Sequence, residues 1–138
     1  VMIERSQTTA FDYDLHGGTD LTRIQWHFFD RSRLPVAVQT WELPPGGAEG
    51  MHAHPHEDPL EELYLVVDGS AVMRVDGQTF EMGPGDAVLA PVGSEHDVRN
   101  PGETTLKLVV VWGRPAPADW SHYGTAKAAR RAVDRREG

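Results

Sequence analysis

Fourteen glycines and ten prolines punctuate a chain of 138 residues, and they set what it can fold into. Before residue 118 no stretch between these breakers carries apolar side chains at helical spacing over a helix's length. The intervening segments are short and rich in Val, Leu, Tyr, Trp and Thr: residues 23–29, 36–43, 63–67, 71–75, 87–90 and 106–112. Such side chains suit a pleated surface, and turn residues bound each run. Asp68-Gly69 and Asp76-Gly77 are hairpin-type turn signals, and Pro84-Gly85-Asp86 and Pro101-Gly102 mark two further turns. Many short strands with no helix between them predict an all-β sandwich or barrel.

The expected domain is 1–118, closed by Pro115 and Pro117, with 119–138 as a tail. Within the tail, 125–136 is rich in Ala and Arg, which favours a short helix. It shows no apolar stripe to bury, so the sequence predicts a frayed or flexible segment rather than a docked one. Residues 1–118 hold 18 acidic against 8 basic side chains, and the tail holds 3 against 5. So acidic a body repels a phosphate backbone and attracts divalent cations, which argues against nucleic acid as a partner. No apolar run approaches the roughly 20 residues of a membrane helix, and Val1-Met2-Ile3-Glu4-Arg5 lacks the apolar region of a signal peptide. The expectation is a cytoplasmic protein with no membrane partner. There is no cysteine, which removes thiolate metal sites, disulfides and thiol nucleophiles from consideration.

The chemistry is carried by histidine. His52, His54 and His56 alternate in Met51-His52-Ala53-His54-Pro55-His56, and His96 lies far downstream. Side chains two apart on an extended segment point to one side, so a His-x-His pair can aim two imidazoles at one ion. Glu62 heads the next strand and can add a carboxylate, with His96 arriving from a later one. Imidazole and carboxylate together suit Fe(II), Mn(II), Ni(II), Co(II) or Zn(II), and a six-coordinate ion held by four protein groups keeps two positions open.

The downstream stretch from Gly85 to Asn100 matches the pattern G-x5-P-x-G-x2-H-x3-N at Gly85, Pro91, Gly93, His96 and Asn100. Upstream, Gly46 stands six residues before His52, and Glu62 stands seven before Gly69. These two patterns resemble the paired motifs of the cupin superfamily, over 46–69 and 85–100 and in the right order. One departure is an insertion. The family places three or four residues between the second His and the Glu, and here 55–61 gives seven. Glu57-Asp58-Pro59-Leu60 is expected to bulge out as a loop, because Pro59 suits no central strand. The insertion leaves a second register open, with His54 and His56 as the pair, although Ala48 then stands where the family has Gly. Glu61 is the alternative carboxylate, at a spacing to Gly69 that misses by one.

The resemblance implies a double-stranded β-helix, a jelly-roll barrel, with one divalent transition metal in its mouth. The implied ligands are His52, His54, Glu62 and His96, with Fe(II) favoured and Zn, Mn, Ni or Co as alternatives. His56 is then a pocket residue and a candidate catalytic base, and Tyr64, two after Glu62, should face inward as a catalytic acid or base or a substrate-orienting group. Gln39 and Trp41 share one strand face, Thr40 and Glu42 the other. His16, His27 and His122 have no motif around them and read as surface or satisfied interior residues. Lys107 reads as an outward charge on an edge face. The implied activity is that of a metal-dependent enzyme on a small molecule. An Fe(II) dioxygenase, an oxidoreductase of enol, diketone or catechol substrates, is favoured narrowly over a non-redox cyclase, isomerase or lyase. Polyketide cyclases of secondary metabolism are one such group, and a non-catalytic binding cupin is the third reading. By the same resemblance the chain is expected to form a homodimer through its N-terminal segment, 11–29.

Overall fold

In the computed structural model, which describes residues 2–137, alternation along the strands decides the architecture. The strands are β1 (Phe11–Tyr13), β2 (Thr22–Trp26), β3 (Ala37–Leu43), β4 (Glu61–Asp68), β5 (Ala71–Val75), β6 (Gln78–Met82), β7 (Ala87–Ala90), β8 (His96–Arg99) and β9 (Leu106–Gly113). A helix, α1 (Gly124–Glu137), follows them. Alternate residues are buried along β3 and along most of β4 and β9: Ala37, Gln39, Trp41 and Leu43, then Glu62, Tyr64 and Val66, then Leu106, Leu108 and Val110. That period of two buries one face of each strand and leaves the other towards solvent.

Two antiparallel sheets result. One has six strands in the order β1-β2-β3-β9-β4-β7, the other three in the order β6-β5-β8. Their inner faces meet over Trp41, Leu43, Tyr64, Val66, Met73, Val98, Leu106, Leu108 and Val110. Each such aliphatic or aromatic side chain contributes about 1.5–3 kcal/mol by leaving water. The fold is the cupin jelly roll, as expected.

Strand register sorts this interior into layers. Leu43 pairs with Leu106, and Trp41, Leu108 and Val66 form the next row. Gln39, Val110 and Tyr64 form a third, and Ala37, Trp112 and Glu62 a fourth. The interior is therefore apolar at one end and polar at the other, where Glu62, Tyr64 and Gln39 stand side by side. Gln39 and Trp41 are the inward pair of β3, and the Trp41 indole donates to Gln39 Oε1 at 2.8 Å.

Three strands carry weak sequence signals. β6 is exposed except at Met82, β1 is exposed throughout, and β8 reads His-Asp-Val-Arg with two polar residues buried. Lys107 corrects the expectation of an edge. It does point outward, but β9 lies inside the six-stranded sheet, with Glu42 and Asp68 opposite Lys107 on the flanking strands. The tail is helical over Gly124–Glu137, and none of its side chains is buried. Ala, Arg and Lys are strong helix formers, and Arg135 and Arg136 in the last turn complement the helix dipole. Among the described residues no helix is long and apolar enough to cross a membrane.

Candidate metal centre

His52 and His96 are brought together by main chain before any side chain acts. Residues 46–52 run antiparallel to β8: Asn100 N–H donates to Gly47 O, Glu49 N–H to Val98 O, and His52 and His96 exchange bonds of 3.1 and 2.9 Å. A turn at 91–94, closed by Ser94 N–H and Oγ–H onto Pro91 O, feeds the chain into His96. Asn100 ends the ladder, with its side-chain amide donating to Leu43 O and Thr104 O. His54 lies two residues beyond His52, and Glu62 comes from β4 across the mouth. The insertion forms a loop that turns at 55–58, with Asp58 N–H on Pro55 O, and Arg114 holds Asp58 at 2.6 Å.

Four donors converge. One ligand atom from each of His52, His54, Glu62 and His96 lies within 4.8 Å of every other. His54 Nε2 is 2.5 Å from Glu62 Oε1, and His96 Nε2 is 3.4 Å from Glu62 Oε2. His52 Nδ1 bonds Gly50 O at 2.9 Å and His96 Nδ1 bonds Ser94 O at 3.1 Å. A carbonyl can only accept, so each ring in its neutral form carries the proton on Nδ1 and leaves the Nε2 lone pair free. Those two Nε2 atoms are buried and have no hydrogen-bond partner. A buried polar atom left unmatched costs about 1–3 kcal/mol, and two beside one carboxylate point to a shared partner that is a cation. The donor set, three imidazoles and a carboxylate, fits a divalent transition-metal ion.

The electrostatics follow from burial. His52 has its pKa lowered to about 4, chiefly because burial opposes a charge there, although the Gly50 carbonyl works the other way. Burial also works to raise the Glu62 carboxyl and to lower His96. Their mutual interaction, with Tyr64 and His54 at Glu62, outweighs it and carries Glu62 to about 2 and His96 upward.

His56 is exposed and stands outside the group of four; its ring lies over Gly93. Glu61 is half-buried and alternates with Glu62, so it belongs to the other face of β4. Tyr64 is fully buried beside the centre, and its hydroxyl meets Glu62 Oε2 in a very short contact and Glu49 Oε1 at 3.1 Å. Burial and the two carboxylates push its pKa well up. His27 is a satisfied histidine, with its ring nitrogens on Glu4 Oε1 at 3.1 Å and Thr40 Oγ1 at 2.6 Å. His122 is exposed on the tail.

Sequence reasoning misses two residues. Glu49 is 2% exposed, reaches Tyr64, and stands 3.9 Å from His52 Nε2. Burial first, and then repulsion from Glu62, raises its pKa well above the carboxylate range. His16 stacks on His52, with ring centroids 3.6 Å apart and planes 15° apart. Nothing in their sequence neighbourhoods marks either: Glu49 lies at odd spacing from His52, and His16 sits in an unrelated loop.

Known proteins resemble the chain in these same features. The Cupin_2 family model, a cupin domain, matches residues 39–112, which include both motifs. An oxalate-binding protein of Thermotoga maritima is 31% identical over 70 residues, covering 51% of this chain and 55% of that protein. The tetracenomycin polyketide synthase protein TcmJ of Streptomyces glaucescens is 34% identical over 68 residues, covering 49% and 44%. The chain thus spans about half the length, or less, of these relatives. In fold it is similar to the crystal structure of a predicted oxalate decarboxylase from Thermotoga maritima, with a TM-score of 0.74 at 23% identity, over 83% of this chain and all of that one. With its two motifs on adjoining strands of a jelly roll and a family match over more than half its length, the chain belongs to the cupin family.

Proposed function

We propose that the chain is a metal-dependent enzyme acting on a small carbonyl compound that can enolise, with His52, His54, Glu62 and His96 as the ligands. The observation that carries this reading is the pair of buried, unpartnered Nε2 atoms on His52 and His96, fixed as acceptors beside Glu62. A divalent ion there would supply Lewis-acid polarisation of a bound carbonyl and, were it iron, redox capacity.

The protein's own groups have separate tasks. The Gly50 and Ser94 carbonyls hold two imidazoles in the ligating tautomer. Tyr64 donates to Glu62 and fixes the orientation of that carboxylate. The apolar rows beneath, Trp41, Leu108 and Val66, close the floor of the site and exclude water from it.

Two chemistries fit this frame. Oxygenation of an enol, diketone or catechol by an Fe(II) centre is favoured by the donor set, three imidazoles and one carboxylate with positions to spare. Non-redox cyclisation or isomerisation is favoured by the buried chain Glu49–Tyr64–Glu62, a set of groups able to hold and move a proton. Likeness to a polyketide synthase protein supports the second reading.

Elemental mass spectrometry of tag-free protein, followed by oxygen-electrode assays with β-diketones and catechols, tests both. About one iron per chain with substrate-dependent oxygen uptake supports the oxygenase. Conversion of substrate without oxygen, on any bound divalent ion, supports the non-redox enzyme. A chain that takes up no divalent transition metal overturns both.

A further inference from the structure

We propose that His16 is a substrate-contacting residue, whose ring hydrogen-bonds a small oxygen anion held at the open face of the metal centre. This inference rests on the metal-dependent reading above.

His16 has what a structural histidine lacks. His27, a structural one, spends both ring nitrogens on protein partners. The His16 ring lies flat on ligand His52 and edge-on to ligand His54, with centroids 6.2 Å apart, and its residue is nonetheless exposed. It makes no side-chain hydrogen bond among the described residues, whereas His52, His54 and His96 are each engaged by Gly50, Glu62 and Ser94. One of its ring nitrogens lies within 4.8 Å of a ring nitrogen of His52 and of a carboxylate oxygen of Glu49. A small group bound beside His52 on that side is therefore within reach of the His16 ring.

The placement is built rather than incidental. His16 and Gly17 both take left-handed conformations, with φ of 55° and 69°, which is uncommon and unfavourable for a residue with a side chain. The loop is pinned on both sides of the ring. Leu15 is buried and its carbonyl accepts from Gly50 N–H at 2.9 Å, while Ala48 N–H donates to Thr19 O at 2.8 Å. The approach needs glycine at two places, since a Cβ on Gly50 would stand 1.9 Å from His16 O and one on Gly18 would stand 1.9 Å from Ala48 O. A strained histidine, clamped by a loop without room for side chains, is held against a metal ligand with its polar edge unused. Strain of this kind persists where the surrounding structure over-determines it, which happens most often at ligand sites.

The test uses the full chain loaded with Co(II), whose visible absorption reports both metal uptake and ligand exchange. Acetohydroxamate, a small chelating oxygen anion, is titrated into wild type, His16→Ala and His16→Asn. The Ala variant is expected to bind the probe roughly tenfold more weakly, the loss of one hydrogen bond to a charged ligand. Its Co(II) affinity should stay within threefold of wild type. Asn, which keeps a donor, should recover part of the probe binding, and circular dichroism checks that both variants are folded.

Equal or tighter probe binding by the Ala variant overturns the proposal. So does a fall in Co(II) affinity with unchanged probe binding, because His16 would then act only as a support for His52. Wild type that holds Co(II) but ignores the probe also overturns it. Wild type that fails to take up Co(II) overturns instead the metal-dependent reading beneath it, which is a separate and earlier step of the titration.

Discussion

Removing the Tyr64 hydroxyl tests the electrostatic design of the centre most directly. That oxygen is buried, and it stands between two buried carboxylates, Glu62 and Glu49. It has one proton, and Glu62, held far below the ordinary carboxylate range while Glu49 is raised well above it, is the better acceptor for that proton. Tyr64→Phe leaves the ring in its edge-to-face packing with Trp41, at a centroid distance of 5.7 Å, so little packing is lost. The loss is a hydrogen bond to a charged group, worth about 1.5–3 kcal/mol. For a chain of this length each kcal/mol lowers Tm by about 3–6 °C, so the metal-free variant should melt roughly 5–15 °C below wild type. A bound divalent ion stabilises the folded protein in proportion to its affinity, so a variant that binds it more weakly gains less and the gap should widen on metal loading. Groups that orient a ligand commonly shift metal affinity by about 10–100-fold, and a loss in that range is expected as well. Differential scanning fluorimetry with and without metal, together with competition against a chelator of known affinity, reads both quantities. Metal-free Tyr64→Phe as stable as wild type would refute the reasoning, as would a gap that narrows when metal binds.

Other consequences are more easily read. His96→Ala should abolish stoichiometric metal, while His56→Ala should keep it, because His56 is exposed outside the four-donor group; elemental analysis of both proteins decides between the two histidine registers. Metal-free stability should depend on pH in both directions. With the His52 pKa held down to about 4 against an ordinary 6.5, the unfolded chain takes up the extra proton, so stability falls as pH drops from 6.5 towards 4. Glu62, held near 2 against an ordinary 4.5, extends that loss to lower pH. Glu49 and His96, both raised, lose stabilisation as pH climbs through their folded values. Glu49 opposes this loss above pH 4.5, so the acid side is read in Glu49→Gln, and a melting curve of that variant indifferent to pH between 6.5 and 4 would contradict it.

The sequence discloses the four-donor cluster and hides what surrounds it, and the reason is geometric. His52, His54, Glu62 and His96 are legible because a ligand pair must alternate along an extended segment and the turns that deliver it need Gly and Pro at fixed places. Gly46, Gly69, Gly85, Pro91 and Gly93 leave that trace in the chain. The strands with strong alternation, β3, β4, β5 and β9, are legible for the same reason. β6 and β8 are not, because β6 faces water almost throughout and β8 buries two polar residues, His96 at the site and Asp97 against Arg74. Glu49 and His16 are reached by another route. Glu49 is defined by what it touches across the barrel, Tyr64 on β4, a contact that depends on the register between the two sheets. His16 depends on two backbones packing with no side chain between them, Gly18 against Ala48 and Gly50 against His16. A glycine needed for close approach looks in sequence like any loop glycine, so the residues it admits go unmarked. Motifs therefore record the groups that would hold an ion, whereas groups that would face a substrate are recorded only by tertiary contact. Two proteins with the same four donors can therefore differ in chemistry, and in this chain the groups packed beside the donors are Glu49, Tyr64 and His16.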